Sequence, residues 1–129
     1  MDLILIFENI NFVSRYQKIC SIYNDFNNGL RGNRKELYDI VLSKFNYKPK
    51  YFPGECFYRI ISNSNDFEFG LQLVLKDGLV EAMIDVKKDD IYLTPDGRFD
   101  FICQEINVEF DRKKYNLPKY PRCRKFSKA

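Results

Sequence analysis

Glu81 and Asp85, followed by Asp89 and Asp90, are the residues whose types and spacing come nearest to doing chemistry. In an extended segment positions 81 and 85 share one face. Two carboxylates on a face can act as an acid/base pair on a glycosidic bond or hold a magnesium ion. A single acidic strand is more often a solvated outer sheet face, and that reading is preferred here. The rest of the catalytic inventory is thin. The 129 residues include no histidine, which removes the commonest general base and metal ligand. No phosphate-binding glycine loop, dinucleotide fingerprint or nucleophile-elbow motif occurs, and the glycines stand singly. No catalytic residue, cofactor or metal site is therefore expected, and the function is expected to lie in a surface.

The four cysteines, Cys20, Cys56, Cys103 and Cys123, include no C-x-x-C pair. A zinc site would need all four thiolates gathered from distant elements without the usual paired spacing. Disulfides are allowed by the even count. A chain of this size can fold on its core alone, so free and partly buried thiols are expected.

Charge divides the chain in three. Residues 1–54 carry 8 basic and 5 acidic side chains, residues 55–110 carry 5 basic and 12 acidic, and residues 111–129 carry 8 basic and 1 acidic. The small net charge of +3 thus hides an acidic middle and a basic tail. Arg112, Lys113, Lys114, Lys119, Arg122, Arg124, Lys125 and Lys128 interleave with Tyr115, Tyr120 and Phe126, a pattern able to contact phosphates and stack on bases. The competing reading lays this tail against the chain's own acidic sheet, and nucleic acid is not the expected partner. Met1 to Phe7 is apolar but too short to span a bilayer, and it lacks the basic start and small-residue cleavage site of a signal peptide. A cytoplasmic location with no membrane partner is expected.

The elements that must position these residues begin with a helix over roughly 3–28, with strand the runner-up for 3–7 because Ile-Leu-Ile-Phe has no polar alternation. Phe12, Tyr16, Ile19, Tyr23 and Phe26 recur at helical spacing, with Leu5 extending the same face. Asn27-Asn28-Gly29 ends it. A second helix is capped by Asn33, with Glu36 three residues on, and Leu37, Ile40, Val41 and Phe45 form its buried face. Pro49 and Pro53-Gly54 close it. Together residues 1–50 form a helical hairpin.

From residue 55 the period becomes two. Cys56 to Ser62 reads as a strand, with a polar turn over 62–65. Phe67, Phe69, Leu71, Leu73 and Leu75 then alternate with more polar positions, Asp77-Gly78 marks a two-residue hairpin loop, and Leu79 to Val86 returns. That loop predicts Leu75 opposite Val80, Leu73 opposite Ala82, Leu71 opposite Ile84 and Phe69 opposite Val86. It also places Val74 opposite Glu81, Gln72 opposite Met83 and Gly70 opposite Asp85 on the other face. After a charged turn at 87–90, Ile91 to Leu93 reads as a short strand and Thr94-Pro95-Asp96-Gly97 as a tight turn. Arg98 to Phe110 reads as strand-like alternation whose two parities are reconciled by a bulge near Gln104-Glu105 or by a break between two strands.

The sequence thus predicts one α+β domain over residues 1–129. Its N-terminal helical hairpin packs on one face of an antiparallel sheet of four to five strands, an antiparallel meander spans 55–110, and a basic tail spans 111–129. The outer sheet face and its turns supply the candidate partner-binding residues Glu68, Gln72, Glu81, Met83, Asp85, Asp89, Asp90, Asp96 and Asp100. An acidic surface on a compact scaffold suits a basic protein, through steering and register.

In size, element order, acidic middle and lack of catalytic groups, the chain resembles the immunity proteins of bacterial contact-dependent inhibition and related polymorphic toxin systems. The resemblance implies a cytoplasmic monomer that covers the active site of a cognate toxin domain, often a nuclease, in a one-to-one complex. No diagnostic motif carries it, so no site residues transfer. The secretion chaperones of type III systems are similar in the same respects.

Overall fold

A computed structural model describes residues 3–23, 35–44, 48–55, 57–76, 78–115 and 118. Its frame is an antiparallel sheet of six strands: β1 (Lys50–Phe52), β2 (Phe57–Ser64), β3 (Phe67–Lys76), β4 (Leu79–Lys88), β5 (Ile91–Tyr92) and β6 (Gly97–Arg98). They run in the order β1-β2-β3-β4-β5, with β6 also paired to β4. The register of the central hairpin is as the sequence predicts, with Leu75 opposite Val80, Leu73 opposite Ala82, Leu71 opposite Ile84 and Phe69 opposite Val86. Gly78, at φ 79°, supplies the left-handed backbone which that tight loop requires.

Several strand boundaries differ from expectation. β4 runs on to Lys88, which pairs with Ile91, so the charged turn expected at 87–90 is confined to Asp89-Asp90. β2 continues to Ser64, and the turn falls at Asn65-Asp66, because Ser64 still pairs with Phe67. The segment between Pro49 and Pro53 is strand β1 rather than a plain helix stop. Each proline flanks the strand, where its missing N–H breaks no ladder bond.

Four helices, α1 (Ile4–Asn9), α2 (Phe12–Ile22), α3 (Lys35–Leu42) and α4 (Phe99–Ile106), complete the α+β fold. The expected single N-terminal helix is broken at Asn11, which sits in the left-handed region at φ 56°. The buried residues are Leu3, Phe7, Tyr16 and Cys20, whereas Leu5, before the break, and Ile19, on the flank of α2, are exposed. On α3 the buried residues are Tyr38 and Leu42, and Ile40 points outward. The expected helix end at Asn27-Asn28-Gly29, the Asn33 cap, and Phe26 and Phe45 lie outside the described residues.

The larger correction is α4. Residues 99–106 are helical, not strand, and the conflict of parity that suggested a bulge is a helical period. Ile102 and Cys103 are buried and Phe99 and Ile106 partly so, at positions i, i+3, i+4 and i+7.

These helices sit on one side of the sheet. Tyr38 and Leu42 of α3 pack against Tyr58 and Leu75 at one end. Leu3 at the start of α1, Phe7 of α1 and Ile102 of α4 pack against Val86 and Leu93 at the other. Tyr16 and Cys20 of α2 close on Cys103 and Phe110. Phe12 joins the two latter clusters, with its ring 4.9 Å from Phe7 and 5.0 Å from Phe99.

Candidate interaction face

The opposite sheet face carries Phe57, Arg59 and Ile61 from β2. β3 adds Glu68, Gly70, Gln72 and Val74, and β4 adds Glu81, Met83, Asp85 and Lys87, as the strand registers dictate. Among the described residues no helix covers it. At its centre Arg59 reaches across β3 to Asp85 with two parallel bonds, Nη1 to Oδ2 at 3.1 Å and Nη2 to Oδ1 at 3.0 Å. Gly70 lies beneath them, and a Cβ there would stand 2.3 Å from Arg59 Nη2 and 2.5 Å from Asp85 Oδ1. The hydrogen bonds to Asp85 raise the Arg59 pKa above its ordinary value despite partial burial.

The neighbouring charges are paired as well. Lys87 Nζ lies 3.3 Å from Glu68 Oε2, directly opposite in register. Burial lowers the Arg98 pKa, but the hydrogen bond to Asp100 and the charges of Asp100 and Glu81 more than reverse it. The face therefore pairs Arg59 with Asp85 and Lys87 with Glu68, and it is laced with ion pairs rather than uniformly acidic. Gln72 and Met83 stand opposite one another between these pairs. Phe57 stacks on Phe52 of β1 at 4.6 Å and extends the apolar part toward that edge.

The remaining candidates are scattered. Asp89 and Asp90 form the exposed β4–β5 turn, both at positive φ (51° and 63°). Asp96 is exposed before β6. Asp100 is only 1% exposed: it lies on α4, not on the sheet, and its carboxylate is held by Arg98 through two bonds of 2.9 Å and by Arg112 Nε at 3.4 Å. As an acid/base pair Glu81 and Asp85 fail on geometry. Four residues along a strand set their Cα atoms about 13 Å apart, and Asp85 is already engaged by Arg59. Among the described residues no group of three cysteine or acidic side chains could hold a metal ion.

Two arrangements escaped the sequence reading. The first is a cleft of about 450 Å³ between α3 and β1, lined by Lys35, Asp39, Ser43, Lys48, Tyr51 and Tyr58 among others. Asp39 accepts hydrogen bonds from Lys35 Nζ at 2.6 Å and from the Tyr58 hydroxyl at 2.5 Å, and these hold its carboxyl below the usual range. The i, i+4 spacing of Lys35 and Asp39 was visible on the predicted helix; Tyr58 was not, because its approach is tertiary. The second is Phe101, over which the guanidiniums of Arg98 and Arg112 stand 5.0 and 3.8 Å from the ring centre. It depends on α4 being a helix.

Cys20 and Cys103 are free and buried. Burial pushes their thiols up, to about 11 and about 12 respectively. Cys56 and Cys123 lie outside the described residues, as does most of the basic tail. The described start of the tail lies against the protein: Arg112 bonds Asp100, Tyr115 packs 5.7 Å from Phe110, and the Pro118 carbonyl accepts a 2.9 Å bond from the Val80 N–H. No helix among the described residues is long and apolar enough to cross a membrane. No protein-family model, curated protein or solved structure matches the chain.

Proposed function

We propose that this chain is a non-catalytic, cytoplasmic binding protein that neutralises a cognate basic protein, a toxin domain such as a nuclease, by covering its active site one-to-one. The observation that carries the reading is the sheet face that no helix among the described residues covers, where Phe57, Ile61, Val74 and Met83 alternate with ion pairs already formed. Apolar residues among polar ones are the composition of a protein interface. Charges fixed before binding lose less freedom when a partner arrives. The exposed acids Asp66, Asp89, Asp90 and Asp96 lie in turns at the margin of the sheet, where charge acts on encounter rate more than on affinity.

The test is co-expression with the polypeptide of the adjoining reading frame and titration calorimetry of the purified pair. A one-to-one complex is expected, weakened at least tenfold by Glu81→Lys with Met83→Lys. A complex indifferent to that change would remove the open face from the interface. No complex would remove the reading.

A further inference from the structure

On its outer side β2 is only half covered. β1 pairs with Phe57, Tyr58 and Arg59 and stops there, while β2 runs on to Ser64 along β3. Among the described residues Ile60 to Ser64 therefore have a strand on one side only. This stretch, Ile-Ile-Ser-Asn-Ser, contains no lysine, proline or acid, the usual devices that keep an edge from pairing. Ile61 is 50% exposed.

Alongside this edge, on the helix-bearing side, lies an apolar groove of about 460 Å³ lined by Ile60, Phe69, Leu71, Leu73 and Ile84. It falls between the cluster under α3 and the cluster under α1 and α4. The β2 residues that border it beyond Ile60 are the small Ser62 and Ser64, which leave its mouth toward the open edge uncrowded.

We propose that the Ile60–Ser64 edge is a strand-addition site for an extended, uncharged segment of a partner protein, about five residues long, with apolar residues at alternate positions. The unpaired backbone calls for an extended chain. The groove on one side of it calls for apolar side chains spaced two apart. The end of β1 at one limit and the Asn65-Asp66 turn at the other set the length. A second copy of this chain is the poorer occupant. Antiparallel self-pairing about Ser62 would offer the groove Ile60, Ser62 and Ser64 of the copy, mostly hydroxyls against an apolar wall. The groove lies on the helix-bearing side and the site shares only the β2 edge, with Ile61, with the open face, so it does not depend on the function proposed for that face.

The experiment is selection from a phage-displayed library of random heptapeptides against the full chain. The selected sequence is then synthesised plain and with N-methyl groups on alternate amides. The expected result is enrichment of peptides with apolar residues two apart and slowed amide exchange at 60–64 in the complex. At least tenfold weaker binding is expected both for one of the two N-methyl registers and for the Ser62→Lys variant. The N-methylated peptides leave the protein untouched, so they decide the matter even if that variant folds poorly. No enrichment, peptides without alternation, or binding indifferent to both N-methyl registers would overturn the proposal. So would concentration-dependent dimerisation abolished by Ser62→Lys, which would assign the edge to self-pairing.

Discussion

Arg59 on β2 and Asp85 on β4 form a two-bond ion pair across the strand that separates them, and Gly70 on β3 leaves the space in which they meet. The strands flanking β3 are about 10 Å apart, two inter-strand spacings. A side chain on Gly70 would occupy the path between them.

The first prediction follows from that space. Gly70→Ala is expected to destabilise the fold by about 1–2 kcal/mol, because the new Cβ separates the pair. With Arg59→Ala and Asp85→Ala already in place, the same change should become neutral or stabilising by about 0.5 kcal/mol, since alanine is preferred to glycine inside a strand. Urea midpoints of the four variants form the cycle. Equal losses in both backgrounds would show that the glycine serves something other than the pair.

Much of the sheet was legible in the sequence, because a two-residue loop at Asp77-Gly78 converts alternation into register with no freedom left. The sequence also told correctly that Gly70 lies opposite Asp85. It could not tell that Arg59 would reach over Gly70, because that contact joins strands which are not neighbours. Nor was the charge of the face legible from a count: Lys87 and Arg59 stand among the acids, and the register puts each within reach of a carboxylate. The misreading of 99–106 has a different cause. Phe99, Phe101 and Cys103 satisfy a period of two as well as Phe99, Ile102, Cys103 and Ile106 satisfy a period of 3.6. Eight residues are too few for periodicity alone to decide between strand and helix.

Asp100 gives the second prediction. Its carboxylate is buried, with Arg98 and Arg112 as its ion-pair partners. Asp100→Ala removes the buried carboxylate that both guanidiniums bond and is expected to destabilise by about 3 kcal/mol. Asp100→Asn keeps the shape but loses the charge, and should fall between wild type and alanine. Thermal unfolding distinguishes the three, and an alanine variant as stable as wild type would show that the pairs contribute nothing net.

Alkaline pH gives the third. Burial raises the thiol of Cys20 from 9.0 to about 11 and that of Cys103 from 9.0 to about 12. A pKa higher in the folded state means the unfolded chain loses these protons first. The stability they contribute is complete below about pH 9 and is lost as pH rises through the folded values. The urea midpoint should therefore hold from pH 7 to 8.5 and fall between 9 and 12. Cys20→Ala with Cys103→Ala should lower the midpoint at pH 7, through lost packing, yet flatten the alkaline slope. An unchanged slope would place the ionisation elsewhere, with Tyr16 the first alternative, since burial raises its hydroxyl too.

The fourth prediction concerns the break between α1 and α2. Asn11 occupies the left-handed region, and its side chain makes no capping hydrogen bond. Its carbonyl, however, accepts from the Arg15 N–H at 3.0 Å and from the Ser14 hydroxyl at 3.2 Å. Its contribution is thus conformational: the backbone must turn left-handed for Phe7 and Tyr16 both to face the core. Asparagine tolerates that region better than most residues, glycine better still, and alanine pays about 1 kcal/mol to enter it. Asn11→Gly should accordingly leave the urea midpoint within about 0.5 kcal/mol of wild type, while Asn11→Ala loses about 1 kcal/mol. If alanine matched glycine, the two helices would be joined by something other than this left-handed residue, and continuous helix through Ile10 and Asn11 would become accessible to the chain.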